Sequence, residues 1–124
     1  MTYNLLNYQD DNNRENDFIL IIDQTQPDII IAQEIIGETG YSNFKSDVLD
    51  VMEPNIWSGA PFINQSAQQD IALFYKQDIF SFVATNTTTT SLVATIEVIP
   101  TYTENNLPKN LLTLKATKPG SRNL

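Results

Sequence analysis

Apolar positions in this chain come in short runs, and the spacing within each run names the element. Residues 2–6 (TYNLL) are a candidate first strand. A polar, acidic loop follows over residues 9–13, in which Asn12 suits a helix N-cap with Glu15 three positions later in capping-box position. Phe18, Ile19, Ile21 and Ile22 then recur as one helical face running toward Gln26, and Pro27 stops that helix. Ile29, Ile30, Ile31 and Ala32 are apolar on both faces, the pattern of a strand covered on both sides of a sheet. Gly37 and Gly40 mark a loop, and Ser42 caps a second helix carrying Phe44, Val48, Val51 and Met52, closed by Pro54.

The rest reads as strands. Residues 56–63 form one broken by Gly59 and Pro61; residues 71–76 and 79–84 form two more about the turn Gln77-Asp78. Residues 91–99 alternate with Leu92, Ala94, Ile96 and Val98 on one face, and Leu111, Leu112 and Leu114 mark the last. The order β-α-β-α followed by a run of β predicts an α/β fold, an α+β mixed sheet with helices on one face. Strands 2–6 and 29–33 should be neighbours, with both helices packed on the same side. One sheet so covered leaves its second face bare, yet Ile29 to Ile31 require cover there. A second half, a partner, or self-association through the uncovered sheet face is therefore expected.

Composition narrows the chemistry. The chain has 124 residues, enough for one hydrophobic core, and an apolar fraction of 41% that argues against disorder. No apolar run approaches the ~20 residues that cross a bilayer, so no membrane partner is expected. There is no cysteine and no histidine, which removes thiolate metal sites and the commonest general base. The net charge of −8 argues against nonspecific nucleic-acid binding, although four of the seven basic residues (Lys109, Lys115, Lys118, Arg122) crowd the last sixteen positions. No signal peptide precedes the first strand, and a chain opening inside a strand suggests that Met1 is an internal methionine of a longer protein.

The run PDIIIAQE ends abruptly in Gln33 and Glu34. Ligands of open α/β sheets bind beyond the strand ends. Glu34 is thus placed as an oxygen ligand for a hard cation such as Mg²⁺ or Mn²⁺, and Asn4, near the end of the first strand, offers a second oxygen. The alternative from spacing alone is a solvated Glu34 and an Asn4 that caps a turn. Trp57, Phe62, Phe80 and Phe82 fit sheet packing better than base stacking. The triplets Asn64-Gln65-Ser66 and Asn86-Thr87-Thr88 are glycosylation sequons of a kind that arises often by chance.

The segments MTYNLLNY, PDIIIAQEI and IALFYK resemble the endonuclease/exonuclease/phosphatase family, the DNase I-like fold. The resemblance covers nearly the whole chain but only the amino-terminal half of that family's domain, half of a four-layer α/β sandwich. It implies that Asn4 and Glu34 bind a catalytic divalent metal (Mg²⁺ or Mn²⁺), with Glu34 catalytic and Gln33 and Lys115 supporting, and that Tyr75 and Lys76 lie on a strand beside the active-site cleft. It also implies a phosphodiester or phosphomonoester substrate. The departures matter as much. Thr113 stands where the family usually has a histidine, an arginine common in the preceding strand is replaced near Val93, and the later aspartate-x-asparagine and aspartate-histidine motifs are expected beyond Leu124.

Three readings follow, the third being an unrelated α/β interaction module in which these motifs are coincidental. The first is a truncated member of a metal-dependent phosphodiesterase, inactive as this chain alone. The second is a degenerate, non-catalytic relative that acts as a binding or interaction module.

Overall fold

The computed structural model describes residues 1–10, 13–65, 69–87, 91–99 and 111–117. Strand β1 (Thr2–Tyr8) leads through helix α1 (Glu15–Thr25) to β2 (Ile29–Ile35). Helix α2 (Gly37–Phe44) continues through a π-helical turn, Lys45–Leu49, into a last turn, α3 (Asp50–Met52). Strands β3 (Trp57–Gly59), β4 (Asp70–Lys76), β5 (Phe80–Thr87), β6 (Ser91–Val98) and β7 (Leu111–Thr117) complete the order. They form two sheets, β1-β2-β4-β3 and β5-β6-β7. The first is mixed: β1 and β2 run parallel, as a helical crossover requires, and β4 is antiparallel to both its neighbours. The second is antiparallel throughout.

Alternation along the strands assigns the faces. Leu5, Ile30, Ala32, Ala72 and Phe74 pack with Phe18 and Ile22 of α1 and with Phe44, Val48 and Leu49 of the second helical segment. Both helices therefore cover the same face, as the sequence predicts. Ile29, Ile31, Ile71, Leu73 and Tyr75 point the other way, onto Phe80, Leu92, Ala94, Ile96, Leu114 and Ala116 of the second sheet. The doubly apolar β2 is thus buried on both sides, but the expected bare face does not exist. The run of β folds back as a second sheet, and among the described residues it covers the face through which self-association was expected.

The helical boundaries differ from the sequence reading. Asn12 lies outside the described residues, and α1 is preceded by Arg14 at the N-cap with no side-chain cap. The helix expected from Ser42 begins instead at Gly37, so both loop glycines are helical. Gly40 is there because of close approach: a Cβ on it would meet the Tyr8 carbonyl oxygen at 2.6 Å. The π-turn also has a local cause. Val48 and Leu49, consecutive in sequence, are both buried, which a widened turn permits. Lys45 bonds Asp50, five residues on, at 2.9 Å, matching the π spacing. Of residues 56–63 only Trp57–Gly59 is strand. Beyond it Ala60 donates to the Leu73 carbonyl at 2.9 Å and the Gln65 side-chain oxygen accepts the Ile71 N–H at 2.9 Å, so a loop completes the outer edge of β4. No described helix is long and apolar enough to cross a membrane.

Candidate metal centre at the ends of β1 and β2

Strands β1 and β2 are both interrupted at the same level. On β2, Ala32 pairs with Ala72 and Ile35 with Asp70, so two residues, Gln33 and Glu34, oppose the single Ile71. On β1, the register with β2 jumps from Asn4↔Gln33 to Tyr8↔Ile35. The described residues with positive φ that are not glycine include Leu6 (51°), Asn7 (62°) and Glu34 (58°). Left-handed backbone costs a side-chain-bearing residue about 1–2 kcal/mol, and asparagine bears it more easily than leucine or glutamate. Strain of this kind persists only where the surrounding structure over-determines it.

Its effect on the faces of β2 is plain. Ile30, Ala32 and Ile35 are all buried toward the helices. Strict alternation would have placed Glu34 on that face, inside the core. The bulge lets Ile35 fill the core instead and turns Glu34 out to a half-buried position. Its carboxylate accepts no hydrogen bond and forms no ion pair among the described residues.

Asn4 lies on the adjacent strand, in register with Gln33. Its Oδ1 accepts the Leu6 N–H at 2.9 Å, an Asx turn that fixes the side chain at the corner. Gln33 donates its side-chain amide to the Thr117 carbonyl at 3.2 Å, which ties the end of β2 to the end of β7. The structure therefore sets Asn4 beside Gln33 on neighbouring strands, with Glu34 next along β2. Lys115 is not brought in by its side chain. Leu114 and Ala116 face the core, so Lys115 and Thr113 stand on the exposed outer face of the second sheet. Tyr75 and Lys76 belong to a strand that does flank the corner, but at its far end: Tyr75 pairs with Ile29, and Lys76 reaches Asp28 at 3.4 Å and the Trp57 ring at 5.7 Å. Trp57 is buried and serves packing.

Several supporting residues are not singled out as such by period or motif. Arg14 donates to the carbonyls of Leu5 (2.8 Å) and Leu6 (3.2 Å) and stacks its guanidinium over the Phe18 ring at 5.5 Å. It satisfies carbonyls that the irregular β1 cannot pair. Tyr8 is fully buried and donates its hydroxyl to Glu15 at 2.8 Å. Burial first, and the Glu15 hydrogen bond second, push this phenol well above the usual tyrosine range, so it remains a donor. Gln69 donates to the Asn7 side-chain oxygen. One signal could have located the bulge: Ala32 and Ile35 are both small or apolar core residues at a separation that alternation does not allow.

No group of three or more acidic, histidine or cysteine side chains able to hold a metal occurs among the described residues. The hard oxygens this part of the sheet offers are the Glu34 carboxylate on β2 and the Asn4 amide oxygen on the neighbouring β1. Asn4 Oδ1 retains a lone pair beyond the one given to Leu6. Hard oxygen donors of this type suit a cation that keeps most of its water, as Mg²⁺ does.

No family model matches the chain, and no curated protein matches it. Among solved structures, the crystal structure of ANGEL2, a 2',3'-cyclic phosphatase, superposes with a TM-score of 0.51 at 15% sequence identity, over 77% of this chain and 35% of that one. The chain thus spans about a third of the length of that structure. At this identity the likeness speaks for the fold alone, and the fold it shows is a part of the DNase I-like α/β sandwich: a helical layer, a mixed sheet and a second sheet packed against it.

Proposed function

We propose that this chain carries the metal-holding part of a metal-dependent phosphoester hydrolase, with Glu34 as the acidic ligand and Asn4 beside it. The observation that supports it is the paired interruption of β1 and β2, which takes Glu34 out of the core and leaves its carboxylate without a protein partner among the described residues. The structural neighbour is described as a 2',3'-cyclic phosphatase, so the substrate class carried over is a phosphate ester. Bound at this corner, a Mg²⁺ or Mn²⁺ ion would supply positive charge to a phosphoryl oxygen. The chain's own contribution is to aim the Glu34 carboxylate by its backbone and to hold Asn4 through the Leu6 N–H. Gln33, engaged with Thr117, and Lys115, on the outer face, are assigned supporting rather than reacting roles. The chain has no imidazole to move a proton.

A Mn²⁺ titration tests this reading. Glu34→Gln should weaken binding about tenfold or more, since a neutral amide replaces a charged ligand, equivalent to about 1.4 kcal/mol or more. Glu38→Gln, exposed in the first turn of α2, should change it by less than about twofold, the size of a screened surface charge. Equal losses from both would mean diffuse acidic attraction and no site. In the same preparation the 124-residue chain should show no appreciable hydrolysis of a phosphodiester ester; turnover abolished by Glu34→Ala would overturn that expectation. The second reading, a non-catalytic binding module, is favoured by the lack of histidine and would be supported by a wild-type chain that binds no Mn²⁺.

A further inference from the structure

Asp70 opens β4 and is 2% exposed, a buried carboxylate that the candidate metal site does not use. A charge is buried at high cost unless hydrogen bonds compensate it. Both of its oxygens are so occupied: Oδ1 accepts the Gln65 N–H at 2.9 Å and Oδ2 the Gly37 N–H at 3.2 Å. Gly37 is the first residue of α2, has φ of +65°, and follows an N-cap, Ile36, that offers no side-chain bond. Asp70 therefore caps α2 from a different strand.

The position of that cap matters because Glu34 lies three residues before Gly37. Every residue between is tied down. Ile35 is in register with Asp70, and Ile36 donates to the Tyr8 carbonyl at 2.8 Å. On the other side Gln33 is in register with Asn4 and bonded to Thr117. The left-handed Glu34 thus sits between two fixed points, and strained backbone persists only where its surroundings over-determine it.

We infer that Asp70 is a positioning residue for Glu34, fixing the chain beyond the bulge so that the carboxylate stays at the corner. The inference rests on Glu34 acting as a metal ligand. Asp70 is itself buried and engaged at both oxygens, so it acts through the backbone and touches neither ion nor substrate.

Three variants of the chain separate this role from a general effect on stability. Asp70→Asn keeps one acceptor and sets an N–H₂ against the other N–H, so one bond is lost. Its Mn²⁺ affinity should fall about tenfold, the low end for groups that orient a ligand, and the Gly37 amide should exchange with solvent faster. Gln65→Ala is the control. It removes the bonds to Ile71 and Ser91 but leaves the Gln65 N–H to Asp70. It should lower stability while leaving Mn²⁺ affinity within about twofold, the scatter expected of a site it does not touch. Should Asp70→Asn fail to fold, Asp70→Glu retains the charge and displaces it by one methylene, and should weaken Mn²⁺ binding in the same direction. Binding that depends on Glu34 but is indifferent to the Asp70 variants, or that falls equally in Gln65→Ala, would overturn the assignment of Asp70 alone. A wild-type chain that binds no Mn²⁺ would refute the ligand reading of Glu34 and the positioning role with it.

Discussion

Phe44→Ala is expected to lower the free energy of unfolding by about 3–5 kcal/mol, the range for truncating a fully buried phenylalanine. The side chain is 0% exposed and meets three rings contributed by three other elements: Tyr8 of β1 at 6.0 Å, Phe18 of α1 at 5.8 Å and Phe74 of β4 at 5.4 Å between centroids. None of these rings can fill the space without leaving its own contacts, so the cavity persists. For a chain of this length total stability is about 6–19 kcal/mol, and the loss is a large share of it. Urea unfolding followed by the fluorescence of the buried Trp57 measures it. Val51→Ala, on the exposed side of the same helical segment, should change stability by less than about 0.5 kcal/mol. A Phe44 variant within that same limit would mean that the aromatic cluster does not hold the helices to the sheet.

Gly40→Ala should cost about 3 kcal/mol, the upper end for inserting a methyl group into packed structure. The sign is the informative part, because replacing glycine by alanine inside an unobstructed helix stabilises by up to about 1 kcal/mol. Here the new Cβ would meet Tyr8 O at 2.6 Å, the Ile35 Cγ2 at 3.0 Å and the Gln9 Cα at 3.3 Å. Two of those three atoms are backbone, so the helix must back away from β1. That retreat would also stretch the bond from Ile36 to the Tyr8 carbonyl, one of the ties beyond Glu34. Thermal or urea unfolding decides the matter, and a stability equal to or above that of the parent would show that α2 does not press on β1 as described.

What was legible in the sequence was whatever repeats. Alternation and helical spacing located both helical segments, β1, β2, β4 and β6, and the doubly apolar Ile29–Ile31 run gave burial on two faces. The cover on the second face was misassigned because a run of strands does not say whether it extends one sheet or starts another. Glycine misled at α2: Gly37 and Gly40 read as breakers, whereas one tolerates the left-handed start and the other permits close packing. At the candidate site, Asn4, Gln33 and Glu34 stood out by position at strand ends. Arg14, Gln65 and Asp70, which brace the backbone around it, did not, because their bonds join residues distant in sequence or serve irregular backbone, and neither leaves a period. Lys115 followed from resemblance alone, and its outward face could be read only once the register of β7 with β6 was known.

On the proposed reading of Glu34, the left-handed corner sets stability against use. Leucine at position 6 and glutamate at position 34 occupy backbone that glycine would adopt at little steric cost. Glycine at position 34 would relieve that strain and delete the carboxylate. At position 6 it would relax the backbone while loosening the peptide whose N–H holds the Asn4 oxygen. An engineer who optimised this chain for thermal endurance alone would be drawn to these two positions and would dismantle the corner in the process. Stabilising changes belong elsewhere, on surfaces such as that around Val51, where gains in folding free energy carry no charge against the site.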